Sequence, residues 1–319
     1  MIRAFLCSFA LLLAARLSAA EPLKVAYSDW PGWVAFEVAI QQGWFKEAGV
    51  DVQFVWMEYG PSMEAFQAGK VDAVTVASGD QLVMAAAGKA SKAILLNDFS
   101  DGNDMIVAKA GIADVKGLKG KKIGLELGLV EHLLLLKALE LNGLKESDIT
   151  IVPVATNDTP QVLATSGVDA IGAWQPNSGA ALKQVPGSKA IFTSKDVPGL
   201  IYDVLAVSPE SLGARKAEWA KIVALWPRIV SFINDPKTQP KALELMAARV
   251  GVPASVYATF LPGTRLLGLE DNKQRLTAAG EGLATLGASM KVAHAFNLAN
   301  KVYTKEVDIP ASIDASLLK

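Results

Sequence analysis

The residues most able to do chemistry early in the chain are Asp29, Trp30 and Trp33, within Tyr27-Ser28-Asp29-Trp30-Pro31-Gly32-Trp33. A carboxylate beside two indoles offers hydrogen-bond acceptors and a flat face that attracts cations. An apolar run, Leu23 to Tyr27, leads into the stretch, and a helical pattern from Trp33 leads out. Ligands on α/β sheets bind outside the carboxyl ends of the strands. The stretch therefore reads as the floor of a ligand pocket. The competing reading puts the tryptophans in the core and makes Asp29 a helix cap.

Strand and helix patterns alternate around this stretch, implying βαβ units and mostly parallel sheets. Strands are expected at Leu23–Tyr27, Val50–Trp56, Ala73–Ala77 and Ala93–Leu96, with a long helix from Trp33 to Lys46. The polar segment from Asn97 to Asp104 breaks the alternation. A second set follows: strands at 105–108, 122–125, 149–154, 170–173 and 190–192, and a helix over 130–141. A strand at 201–207 precedes a helical C-terminal part, with helices at 217–234, 241–248 and 273–286, the first interrupted by Pro227. This organisation predicts two α/β lobes: 21–103 with 203–319, and 104–202. The chain crosses twice between them, which sets a ligand cleft at the interface and a hinge.

Composition excludes several classes. The 319 residues carry 31 basic and 32 acidic side chains, so no basic excess points to nucleic acid. Arg3, the apolar run Ala4–Ala15 and Ser18-Ala19-Ala20 read as a signal peptide cleaved after Ala20 and followed by a periplasmic protein. Cys7 is the only cysteine and lies inside that signal. No metal spacing, nucleophile elbow or phosphate loop is present. We therefore expect no catalytic residues, no metal and no cofactor. His132, on a leucine-rich helix, reads as core or cap.

Four phrases then resemble one family in order and spacing. They are Gly43-Trp44-Phe45-Lys46-Glu47-Ala48-Gly49-Val50, Gln67-Ala68-Gly69-Lys70-Val71-Asp72-Ala73, Gly117-Leu118-Lys119-Gly120-Lys121-Lys122-Ile123-Gly124, and Gly167-Val168-Asp169-Ala170 with Trp174-Gln175-Pro176. The chain resembles the nitrate-, sulfonate- and taurine-type periplasmic solute-binding proteins. The resemblance implies a type II periplasmic binding fold that, as a monomer, hands a solute to the permease and ATPase of an ABC importer. It maps ligand contacts to Asp29 and Trp30, to Glu58 and Tyr59, to Ser78, Gly79 and Asp80, and to Glu126 and Gly128. Trp174 and Tyr202–Asp203 are further candidates in the resemblance.

Here the chain departs from the anion-binding pattern. Sulfonate and nitrate members use hydroxyls and free amides at helix starts, which suit an anion. Asp29, Glu58, Asp80 and Glu126 instead bring an acid to each mapped position. Carboxylates suit a guanidinium group, which pairs with them bidentately and stacks on indole. The opening Ser28-Asp29-Trp30 with Gly32-Trp33 also resembles a branch associated with urea- and guanidine-processing genes. A guanidinium-like cation or urea-like amide is the expected ligand. The alternatives are an anion such as a sulfonate, taurine or nitrate, or a thiamine-pyrimidine precursor. An enzyme on the same fold, and a sensor that reports ligand to a membrane partner, are the readings from other classes. Glu131 reads as the far member of a capping box. Asp98, Asp101 and Asp104 read as hinge residues, and Trp44, Trp219 and Trp226 as packing.

Overall fold

Strands buried on both faces need helices on both sides, and the first strands of this chain meet that condition. In the computed structural model, which describes residues 21–165 and 167–319, β1 (Leu23–Tyr27) and β3 (Ala73–Ala77) are almost wholly buried. They join β2 (Val52–Trp56), β4 (Lys92–Ser100), β10 (Tyr202–Val207) and β11 (Thr264–Leu266) in a six-stranded sheet of order β11-β4-β10-β3-β1-β2. A five-stranded sheet has the order β7-β6-β8-β5-β9. It contains β5 (Met105–Ala108), β6 (Lys122–Leu125), β7 (Thr150–Pro153), β8 (Ala170–Ala173) and β9 (Lys189–Thr193). The signal-peptide reading falls outside the described residues.

The sheets are more mixed than the alternating pattern implies. β1 pairs in parallel with β2 and β3, and β6 with β7 and β8. The pairs β10–β3, β10–β4, β11–β4, β5–β8 and β5–β9 are antiparallel. The reason is the double crossing. The chain leaves the first sheet after β4, enters the second at β5, and returns from β9 as β10, which inserts between β3 and β4 against their direction.

The two crossings are tied side by side. Ser100 Oγ and Ser194 Oγ lie 2.6 Å apart, and Gly102 N donates to Ser194 Oγ at 2.7 Å. Ser194 N donates to the Asp104 carbonyl at 3.0 Å.

Three expected elements differ. The segment from Trp33 to Lys46 is three short helices, Pro31–Val34, Phe36–Gln41 and Trp44–Glu47, and Gly43 at φ 70° makes the break between the second and the third. β4 continues through Asn97 and Asp98 to Ser100, so the polar segment is partly strand. No helix spans 273–286. Leu269–Arg275 and Leu286–Ala299 are separate helices, and Gly280 and Gly282 between them have positive φ. The Lys216–Asn234 helix keeps Pro227 in its interior and buries Trp219 and Trp226 completely. Trp44 also packs in the core of the first sheet.

Candidate functional site

The carboxyl ends of β2, β3 and β6 point helix starts toward the interface between the sheets. Each start carries its own acid. Asp80 lies in the first turn of the Ser78–Ala86 helix, Glu131 in that of Val130–Leu141, and Glu58 is the N-cap of Tyr59–Gln67. A carboxylate there is favoured by the helix dipole. It also occupies the place an anionic ligand would take. The Val130 N–H, at the head of its helix, donates to Asp80 Oδ2 at 3.2 Å.

Four aromatic rings run through the interface. Trp30 and Trp33 have centroids 6.3 Å apart, Trp33 stacks on Tyr59 at 5.3 Å and 18°, and Tyr59 meets Trp174 edge-on at 5.1 Å. Three of these rings hand their polar atom to an acid. Trp30 Nε1 donates to Asp98 Oδ1 at 3.0 Å and Oδ2 at 3.2 Å. Tyr59 Oη donates to Asp80 Oδ2 at 2.6 Å and accepts from Ala77 N at 3.1 Å. Trp174 Nε1 donates to Asp29 Oδ1 at 3.0 Å. Asn177 Nδ2 donates to Asp29 Oδ2 at 3.0 Å, so Asp29 ties the first sheet to the second.

These contacts place each residue singled out in the sequence. Trp30, Tyr59, Ser78, Asp80 and Trp174 are buried at the interface. Asp29 is half-buried and Glu58 exposed; both line a cavity of about 290 Å³ with Met57, Asn157, Pro176 and Asn177. Gly79 faces Leu133 of the opposite sheet's helix, where a Cβ would make ordinary van der Waals contact 3.5 Å from its Cδ2. Glu126 is half-buried, beside Gly60. Gly128, at φ 84°, donates its N–H to His132 Nδ1 at 3.2 Å. Asp29, Trp30 and Glu58 do not form one cluster: Trp30 turns to Asp98, and Asp29 to Trp174. A larger depression of about 710 Å³ is lined by Tyr27, Glu37 and Arg249, among others. Its Arg249 Nε already pairs with Glu37 Oε1 at 3.3 Å.

The sequence reading named Asp203 as a ligand candidate but gave Asp98 and Asp104 to the hinge and Glu131 to a helix cap, so it missed the cluster these acids form deep in the interface. Asp98 on β4 and Asp203 on β10 are paired across the strands. Both are buried, and their carboxyls come within hydrogen-bonding reach. Asp104 and Glu131 form a second such pair. Asp98 and Asp104 are therefore part of this cluster rather than hinge residues alone. Glu131 is no capping-box member, because neither of its carboxyl oxygens finds a protein donor among the described residues. The available signal was a run of polar residues interrupting an otherwise apolar strand pattern, at Asn97 and Asp98.

Burial governs the electrostatics. It raises the Asp80 carboxyl to about 7, against the hydrogen bonds from Tyr59 and Val130, with Glu126 and Asp104 adding repulsion. Burial also raises Asp98 and Asp104, and it drives Glu131 and Asp203 well above the carboxylate range, where neighbouring acids push them further. Asp29 and Glu126 rise for the same first reason. Among the described residues no lysine, arginine or histidine forms an ion pair with any of these seven acids. An isolated buried carboxylate costs several kcal/mol, roughly, unless a proton or a cation compensates it. No three acid or histidine side chains among the described residues are grouped to hold a metal ion.

Two sheets joined by a double crossing, with helix starts and aromatic rings converging between them, define the periplasmic-binding-protein fold. The periplasmic aliphatic sulphonate binding protein SsuA from Escherichia coli shares it, with a TM-score of 0.73 at 22% identity, covering 92% of this chain and 97% of that one. The NMT1/THI5-like family model matches residues 30–233, and the chain belongs to that family. A Brucella abortus relative named only as a binding protein is 29% identical over 202 residues, 60% of this chain and 62% of its own length. The match thus spans less than two thirds of that relative. An Escherichia coli relative named for binding aliphatic sulfonates is 25% identical over 80% of both chains.

Proposed function

We propose that this protein is the solute-binding component of an ABC importer, that it works in the periplasm, and that it closes its two lobes over a small molecule. The fold and the relatives named as binding proteins support this reading. They support binding rather than catalysis. The two described histidines agree with that: His132 is held by Gly128 N, and His294 by Tyr303 Oη and Glu306 Oε2 at 2.8 and 2.7 Å.

For the solute, the relatives' names favour the anion alternative over a guanidinium- or urea-like compound. The site chemistry supports the opposite sign. The observation that carries it is the buried carboxyl cluster without a basic partner, lined by Trp30, Trp33, Tyr59 and Trp174. An anion brought against Asp80, Asp98, Asp104, Glu131 and Asp203 finds no basic partner, and any of these carboxyls that is ionised repels it in a low-dielectric setting. A compact, donor-rich nitrogen compound gains acceptors and a cation–π face, the latter worth about 0.5–2 kcal/mol.

A thermal-shift panel of guanidinium, urea, taurine, nitrate and a thiamine pyrimidine tests the reading. Ligand at a hundred times its Kd adds about 2.7 kcal/mol to stability. We expect guanidinium or urea to raise the Tm and the two anions to leave it unchanged. A shift with taurine or nitrate alone assigns the anion reading instead.

A further inference from the structure

Asp98, Asp203, Asp104 and Glu131 sit where the two crossings meet the lobes. Asp98 and Asp203 lie on the paired strands β4 and β10, Asp104 directly precedes β5, and Glu131 opens the helix after β6. All four are at most 2% exposed. Asp98 is pressed over Gly32 and Glu131 over Gly172, where a Cβ would lie 1.7 Å from Asp98 Oδ2 and 3.0 Å from Glu131 Cβ. The absence of a side chain at Gly32 and Gly172 thus makes the room that Asp98 and Glu131 occupy.

Two carboxylates both accept, so neither can satisfy the other unless a proton sits between them. Asp104 Oδ2, Asp203 Oδ2 and both oxygens of Glu131 find no protein donor among the described residues. Trp33 Nε1 and Ser28 Oγ, on either side of Gly32 in the chain, are also buried and have no partner among the described residues. This set of open acceptors and fixed donors is what a ligand with several N–H groups would complete.

We propose that the Asp98–Asp203 and Asp104–Glu131 pairs form the subsite for a compact organic cation with several N–H donors, and that the cation on entry replaces a proton shared within a pair. The proton passes to solvent, and the charge in the cluster is conserved. Loading is therefore favoured as the external pH rises. This inference rests on the cationic reading above and adds the site and the proton exchange.

The surrounding groups agree with this balance. From the helix Ser78–Ala86 comes Asp80, and from the end of β6 comes Glu126, both acids. Tyr59 faces Asp80 as a donor. His132 is turned away toward Gly128 N and Glu146. Arg275 is engaged by the Tyr202 hydroxyl and the Ala284 carbonyl, each at 3.1 Å, and by Asp271. Burial keeps each cluster carboxyl protonated more readily than in water, which supplies the proton to be exchanged.

The test is a pH-stat titration of the mature protein with guanidinium chloride in unbuffered potassium chloride, paired with affinities measured from pH 6 to pH 7.5. We expect about one proton released per guanidinium bound, and affinity rising by up to about tenfold per pH unit. Glu131→Gln and Asp203→Asn, which keep shape and remove the exchangeable charge, should each weaken binding at least tenfold while the melting temperature stays at or above that of the parent. Guanidinium binding with no proton release, or with both variants binding as the parent does, overturns the inference and leaves the cationic reading standing. Absence of any guanidinium binding to the parent removes both.

Discussion

Asp98 shows how one side chain is held in place by its neighbours. Its two carboxyl oxygens share the single N–H of the Trp30 indole, it pairs with Asp203 across the strands, and it lies against Gly32. Glycine at 32 is required by close approach, since an added Cβ would fall within the carboxylate. Gly32→Ala should therefore cost about 1–3 kcal/mol, the usual range for an overpacked site, and should abolish ligand binding by displacing Asp98. Denaturant unfolding and calorimetry measure the two effects; unchanged stability and affinity together would contradict the placement. The stretch around Asp29 and Trp30 was legible in the sequence as an acid followed by two indoles at the end of a strand. The partners of those residues were not, because Asp98, Trp174 and Asn177 lie 68 to 148 positions away along the chain.

At the scale of elements, the site is made by helix starts that carry their own acids. Asp80 accepts from Tyr59 Oη and from Val130 N, which belong to two different helices on opposite sides of the interface. Asp80→Ala leaves both donors buried and unpaired. A loss of about 1–3 kcal/mol is expected from such a deletion, measured by denaturant unfolding at pH 6. No loss would show that the helices are held without it. The helix Val130–Leu141 follows the sequence pattern to the residue, because its leucines leave a single solution for burial. The boundaries at Gly43 and at Gly280 with Gly282 carried a glycine signal that helical periodicity outweighed. The extension of β4 through Asn97 and Asp98 had no local signal. Those polar residues are held in a strand by pairing with β10 and β11, a tertiary effect that overrides local preference.

For the whole molecule, the acids make the free protein sensitive to pH. Asp80 has a folded value of about 7, against about 3.9 in an unfolded chain. A raised acid binds more protons folded than unfolded across that interval, so its contribution is complete below about pH 4 and is lost as pH rises through about 7. Asp98, Asp104, Glu131 and Asp203 shift the same way. Ligand-free protein should be more stable near pH 5 than near pH 8, by about 2–4 kcal/mol if one such group dominates. Stability that instead climbs from pH 5 to pH 8 would contradict a cluster of neutral buried acids. The two-lobed plan was legible from the alternating patterns and the four family phrases. The sign of the ligand's charge depends on which acids converge, which only the folded chain brings together.

That sign is the central claim, and one measurement addresses it most directly: calorimetric titration of the same mature protein at pH 7.5 with guanidinium chloride and, separately, with sodium ethanesulfonate. The account predicts saturable one-to-one binding of guanidinium and no heat of binding with the sulfonate. Saturable binding of ethanesulfonate with no response to guanidinium would contradict it.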